Sequence, residues 1–215
     1  MYLSRLTLNP RSRQVQAELA APYEMHRTLM RAFPADLAST GDEGTARVLY
    51  RVDLPAAGQA IVIVQSHLLP DWSFCKPDYL AAPPATKQFE PRLTADQAYV
   101  FRLRANPTIK KQFDGPGTKS KRVGLYGEKE QMEWLERKLA DGGFRLVQAA
   151  PAHQERYGGT IVRAENKRHD LNLLGVTFDG LLVVVEPHGA QETIARGVGS
   201  GKAFGFGLLS LARPN

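Results

Sequence analysis

Strand-like and helix-like patterns alternate along this chain in two successive runs, and that order limits the fold more than any other feature. Tyr2–Leu8 reads as a strand, Ser12–Leu19 as a weak helix and Pro22–Phe33 as a better one. Pro22 opens that helix, where its missing N–H would have had no partner anyway. Thr45–Leu54 sets Val48, Tyr50, Val52 and Leu54 against Arg47, Arg51 and Asp53, the period of a half-buried strand. Ala56-Ala57-Gly58 then turns the chain into Ala60–Ser66, an apolar run that reads as a buried strand. Pro77, Pro83, Pro84 and Pro91 punctuate Pro70–Ala95, which reads as a linker. Beyond it come a strand at Gln97–Ala105, a basic loop at Asn106–Gly127 and a helix at Glu128–Ala140. Met132, Leu135 and Leu139 stripe that helix, and Gly142-Gly143 ends it. Phe144–Gln148 is a strand, Arg156–Ala164 and Leu171–Phe178 form a hairpin with a polar tip, and Asp179-Gly180 reads as a turn into Leu181–Val185. A short helix at Pro187–Arg196 and a strand at Phe204–Leu211 complete the chain. This order predicts an α+β protein of two tandem ferredoxin-like (RRM-like) domains, 1–90 and 91–215.

Composition narrows the function classes. Hydrophobic residues at 43% and charged residues at 23% describe an ordinary globular chain. No apolar run approaches the ~20 residues that span a bilayer, and MYLSRLTLNP alternates like a strand rather than a signal peptide. With Cys75 as the one cysteine there is no disulfide framework, so a cytoplasmic protein is expected, with no membrane partner. A single cysteine and histidines at 26, 67, 153, 169 and 188 make no metal-ligand spacing, so no metal or cofactor is expected.

The net charge of +6 permits a polyanionic partner, and its clustering says more. Arg102, Arg104, Lys110, Lys111, Lys119, Lys121 and Arg122 share one stretch with a single acid, Asp114. Arg163, Lys167 and Arg168 crowd the polar tip. The tail RGVGSGKAFGFGLLS places glycines at 197, 199, 201, 205 and 207 between and after Arg196 and Lys202. It is not a P-loop, because Arg196 replaces the first glycine and Ala203 the hydroxyl residue. It fails the dinucleotide fingerprint as well. Two readings stay open: a turn before a strand, or a loop whose bare backbone N–H groups at Gly199 and Gly201 approach a phosphate, with Arg196 and Lys202 supplying charge.

The segment GVGSGKAFGFGLLS resembles the C-terminal glycine-rich loop of the RAMP superfamily of CRISPR RNA-binding proteins, in the form found in the CasE family. Pro22-Tyr23-Glu24-Met25-His26-Arg27 resembles that family's N-terminal catalytic segment. Phe101-Arg102-Leu103-Arg104-Ala105-Asn106-Pro107 resembles its central strand, and Pro70-Asp71-Trp72 a shorter stretch. These landmarks keep the family's order along nearly the whole chain. The resemblance implies two ferredoxin-like domains, cleavage of CRISPR repeat RNA at the base of its stem-loop, and retention of the product within the Cascade complex. It implies catalysis by Tyr23 and His26, and a hairpin of the second domain, here Arg156–Phe178, entering the stem.

The helix at 22–33 suits that chemistry. Tyr23, His26 and Arg27 stand at i, i+3 and i+4 and share a face, with Arg31 one turn on. RNA cleaves when a 2′-OH attacks its own phosphate, which needs proton transfer and charge stabilisation but no obligatory metal. A histidine serves as acid or base near neutral pH, and arginines grip a phosphate bidentately. The expected RNA contacts are Arg27, Arg31, Arg102, Arg104, Lys119, Lys121, Arg163, Lys167, Arg168, Arg196, Gly199, Gly201 and Lys202. The alternative is a RAMP-fold subunit that packages RNA without cutting it. It shares the basic residues and the glycine loop but does not need His26.

Overall fold

A computed structural model describes residues 1–34, 47–55, 58–112, 121–162 and 168–214. The chain forms two compact units. The first comprises Met1–Arg92 with Ala195–Gly197 and Gly201–Leu208, and the second Leu93–Ile194 with Val198–Ser200 and Leu209–Asn215. Parts of the glycine-rich tail, numbered with 91–215 in the sequence reading, therefore pack with the first unit.

In the first unit, β1 (Tyr2–Leu8) leads to α1 (Arg13–Ala20), α2 (Pro22–Met30), β2 (Leu49–Asp53), β3 (Ala60–Ser66) and β4 (Ala85–Gln88). The strands form an antiparallel sheet in the order β2-β3-β1-β4. Alternation puts Ser4, Leu6 and Leu8 of β1 on the buried side, Arg5 outward. Val15 of α1 and Met25 and Leu29 of α2 complete the core with Val62, Val64, Trp72 and Tyr79.

Three sequence readings change here. Pro70–Ala95 is no linker: Trp72 and Tyr79 are buried, and β4 lies within it. Trp72 donates its indole N–H to Ser4 Oγ (3.3 Å), and Tyr79 donates its hydroxyl to Glu18 (2.6 Å). All four β4 residues are exposed, so the strand carried no hydrophobic signal. β2 does not alternate, because Leu49, Tyr50 and Arg51 are all buried while Leu54 is 69% exposed. Arg51 tolerates burial because Asp53, two residues on and on the same strand face, accepts both Nε and Nη2 at 2.8 and 2.9 Å. Finally, α2 stops at Met30 rather than Phe33, and the chain tightens into i→i+3 bonds from Arg31, Ala32 and Phe33 to Thr28, Leu29 and Met30.

The second unit runs β5 (Ala98–Ala105), β6 (Thr108–Lys111), β7 (Lys121–Gly124), α3 (Glu128–Ala140), β8 (Phe144–Val162), β9 (Arg168–Val184), α4 (Pro187–Arg196) and β10 (Leu209–Ala212). Its four-stranded antiparallel sheet has the order β10-β5-β9-β8, so with β6-β7 set aside as a separate hairpin it repeats the strand order of the first unit. Both units are thus ferredoxin-like, the second with both its helices and the first with turns between β3 and β4. The expected basic loop is partly the β6-β7 hairpin.

The four strand pieces read between 144 and 185 are two long strands. Register shifts at Leu146/Gln148 and Pro151/His153 reset the inward-outward period, which made β8 look broken. Asp179-Gly180 is not a turn but lies inside β9, opposite Arg102 and Phe101. Glycine stands at 180 because a Cβ would lie 2.1 Å from the Gln148 carbonyl oxygen. Gly180→Ala is therefore expected to destabilise the second unit by about 1–3 kcal/mol, read as a lower urea midpoint with an unchanged m-value.

Candidate active site

Helix α2 gathers the chemistry of the first unit. Glu24 N–H and Met25 N–H both bond to the Ala21 carbonyl (2.9 and 3.3 Å), with Pro22 in the first turn. Met25 and Leu29 turn inward and seat the helix, which leaves Tyr23 and His26 half-buried on another face. Their ring centroids are 6.3 Å apart. The imidazole of His26 lies nearly parallel to the ring of Tyr50 on β2, at 6.3 Å and 14°, and its Nδ1 is buried.

The glycine-rich tail supplies the neighbouring wall. Lys202–Phe204 is a single 3₁₀ turn, bounded by Gly201 (φ 81°) and Gly205 (φ 77°), both left-handed. Phe204 N–H and Gly205 N–H close the turn on the Gly201 and Lys202 carbonyls, at 2.9 and 3.1 Å. The Phe204 ring reaches Tyr23 at 5.8 Å. Lys202, two residues earlier, thus sits at one end of a turn whose other end touches Tyr23, and it is half-buried.

The other expected residues divide. Arg27 is exposed and ion-paired to Glu24 one turn back, at 2.9 Å. Arg31, the C-cap rather than part of the helical face, stacks over Phe74 at 4.6 Å. Arg196 ends α4 and is exposed. In the second unit, Arg102 is held bidentately by Asp179 at 2.7 Å on each arm. Arg104 bonds Glu155 at 2.8 Å and also the Tyr157 hydroxyl. These two arginines are therefore charge-compensated, not open cations. Burial and the bond to Glu155 push the Tyr157 phenol above its ordinary range. Lys121 is exposed at the start of β7, and Arg168 opens β9 opposite Val162. Gly199 (φ 80°) packs against Trp134, where a Cβ would meet the indole at 3.0 Å. Lys119, Arg163 and Lys167 lie outside the described residues. Among the described residues, no group of three or more His, Cys, Asp or Glu is arranged to hold a metal ion, and no helix is long and apolar enough to cross a membrane.

Two residues of this site escaped sequence reasoning. Tyr50 passed as a core position of an alternating strand and Phe204 as the start of the last strand. Neither carries a local motif, because each meets α2 only through the fold.

Beneath α2 a buried carboxylate fixes the helix. Glu18 of α1, 5% exposed, accepts bonds from Thr28 of α2 (2.7 Å), Tyr79 (2.6 Å) and Gln14 (2.8 Å). Burial, with that bond to Glu18, raises the Tyr79 phenol far above its ordinary range, so the phenol stays the donor.

Residues 1–213 match the family described as CRISPR associated protein. The chain is 41% identical over 221 residues to CRISPR-associated endoribonuclease Cse3 of Thermus thermophilus, covering 99% of this chain and 100% of that one. It is 30% identical to the CRISPR system Cascade subunit CasE of Escherichia coli K12, over 99% of both chains. A structure of Cse3 bound to a 19-nucleotide RNA superposes with a TM-score of 0.83 at 39% identity, covering 99% of this chain and 100% of that chain.

Removing the carboxylate beneath α2 takes this acceptor from the buried Tyr79 hydroxyl and the half-buried Thr28 hydroxyl. Glu18→Ala should cost about 1–3 kcal/mol, and Glu18→Gln less, measured by urea unfolding of the two variants beside the unaltered chain.

Proposed function

Since the chain belongs to the CRISPR-associated protein family, with Cse3 and CasE among its relatives, we propose that it is a metal-independent endoribonuclease for CRISPR precursor RNA. It cuts within the repeat at the base of the stem-loop, retains the mature guide and joins a Cascade assembly. Its place is the cytoplasm, where that transcript is made. The observation that carries the catalytic assignment is the pairing of Tyr23 and His26 on one face of α2, beside the turn that Lys202 begins.

The 2′-OH next to the scissile phosphate attacks phosphorus. The 2′-O–P bond forms, the P–5′-O bond breaks, and the products are a 2′,3′-cyclic phosphate and a 5′-hydroxyl. His26 moves the proton, since an imidazole exchanges one near neutral pH. The Tyr23 hydroxyl orients the reacting group from the same helix face. Lys202 faces the phosphate as a point charge. Arg27 is exposed enough to exchange Glu24 for an RNA phosphate, because such surface pairs are worth only about 0–1 kcal/mol. Arg31, Arg196, Gly199, Gly201, Lys121 and the tip residues Arg163, Lys167 and Arg168, with Lys119, bind backbone phosphates around the stem. Arg102 and Arg104 contribute less, each already facing a carboxylate.

Cleavage of a repeat stem-loop RNA in excess EDTA tests this. The unaltered chain should make one cut at the stem base. His26→Ala should slow single-turnover cleavage by ~10²–10⁴-fold with RNA affinity nearly unchanged. Tight binding without a cut by either protein would make the chain a packaging subunit, and cleavage abolished by EDTA would remove the metal-independent reading. In the same binding assay Lys202→Ala should weaken affinity more than Arg102→Ala, and the reverse order would unseat Lys202 as a phosphate contact.

A further inference from the structure

Tyr50 stands where the sheet, the helix and the glycine-rich turn of the first unit converge. It is fully buried on β2. Its hydroxyl donates to the Pro22 carbonyl at 2.6 Å, and the Ala203 carbonyl lies 3.4 Å from the same oxygen. Its ring lies flat beside the His26 imidazole. On the side of the turn, a Cβ on Gly205 would come within 3.0 Å of Cε2 of the same ring.

The choice of carbonyl gives this contact its meaning. In an α-helix the carbonyl of residue 22 accepts the backbone N–H of residue 26. A carbonyl has two lone pairs, so it can take a second donor. Tyr50 thus ties the turn that bears both Tyr23 and His26 to the rigid sheet. A phenol has one proton, and the shorter distance commits it to Pro22. Ala203 is left in close approach, so a shift of the Lys202 turn and a shift of α2 are both felt at one hydroxyl.

We infer that Tyr50 is the positioning residue of the active site, its hydroxyl setting where His26 stands relative to the Lys202 turn. This rests on the proposed assignment of catalysis to Tyr23 and His26. Tyr50 touches no reacting atom in this scheme. It acts through α2, and geometry of this kind matters because a misplacement of about 1 Å can cost ~10²-fold in rate.

The test uses the full chain and the repeat stem-loop RNA, with single-turnover rate at saturating enzyme and RNA affinity measured separately. Tyr50→Phe keeps the ring beside His26 and removes only the hydroxyl. It should lower the saturating rate by roughly 10–100-fold while affinity stays within about twofold. Gly205→Ala crowds the same ring from the turn, so it should lower the saturating rate beyond the loss of affinity that comes from displacing Lys202, and it reads the idea even if Tyr50→Phe does not fold. A saturating rate for Tyr50→Phe within twofold of the unaltered chain overturns the inference. So does a rate loss matched by an equal loss of affinity, which a merely structural role would produce. If the unaltered chain cuts, His26→Ala does not and Tyr50→Phe cuts normally, the positioning role alone falls. An unaltered chain that never cuts removes the catalytic assignment and this inference with it.

Discussion

Backbone handedness dictates the course of the tail, and the site depends on it. Gly197, Gly199, Gly201, Gly205 and Gly207 have φ between 76° and 95°. Each is a conformation that costs an L side chain about 1–2 kcal/mol. Three of them are closed by neighbours as well: Leu49 at 197, Trp134 at 199 and Tyr50 at 205. A chain without these glycines could not wind Lys202–Phe204 into a turn whose aromatic end meets Tyr23. The glycines act first by letting the backbone bend and approach, and their effect on charge comes through the lysine they position.

Polar groups buried among apolar ones hold the helices to a defined place. Leu, Val and Met side chains seat α1 and α2 without fixing their rotation tightly, since apolar packing is not directional. Glu18 is directional, with bonds reaching α2 and the segment before β4 at once. Arg51 and Asp53 satisfy each other within one strand. A half-satisfied version of either group would cost more than an apolar substitute.

The sequence was most legible where period and stop signal agreed. Tyr2–Leu8, Ala60–Ser66, Glu128–Ala140 and Pro187–Arg196 have the same bounds in the reading and in the fold. β4 was invisible because an edge strand with four exposed residues has nothing to bury. The shared face of Tyr23 and His26 followed from helical spacing alone, whereas their neighbours Tyr50 and Phe204 are brought there by long-range packing. Arg102 and Arg104 looked like open cations because their partners lie 77 and 51 residues further along, at Asp179 and Glu155. Proximity in a charge run says nothing about which acids the sheet will bring alongside.

The unequal strand lengths of the second sheet divide its cooperativity. β9 pairs with β5 only from Val176 to Val183, while β8 follows β9 out to Arg168. Residues 168–175 and their partners on β8 therefore form a two-stranded ribbon reaching roughly 25 Å past the three-stranded part. An isolated pair of strands is marginal in water, so its amides should open to solvent without unfolding the sheet beneath. A ligand that grips only the ribbon would then raise the protection of those amides by its own binding free energy. The free energy of global unfolding would rise by the same amount, because unfolding the sheet dissolves the ribbon as well.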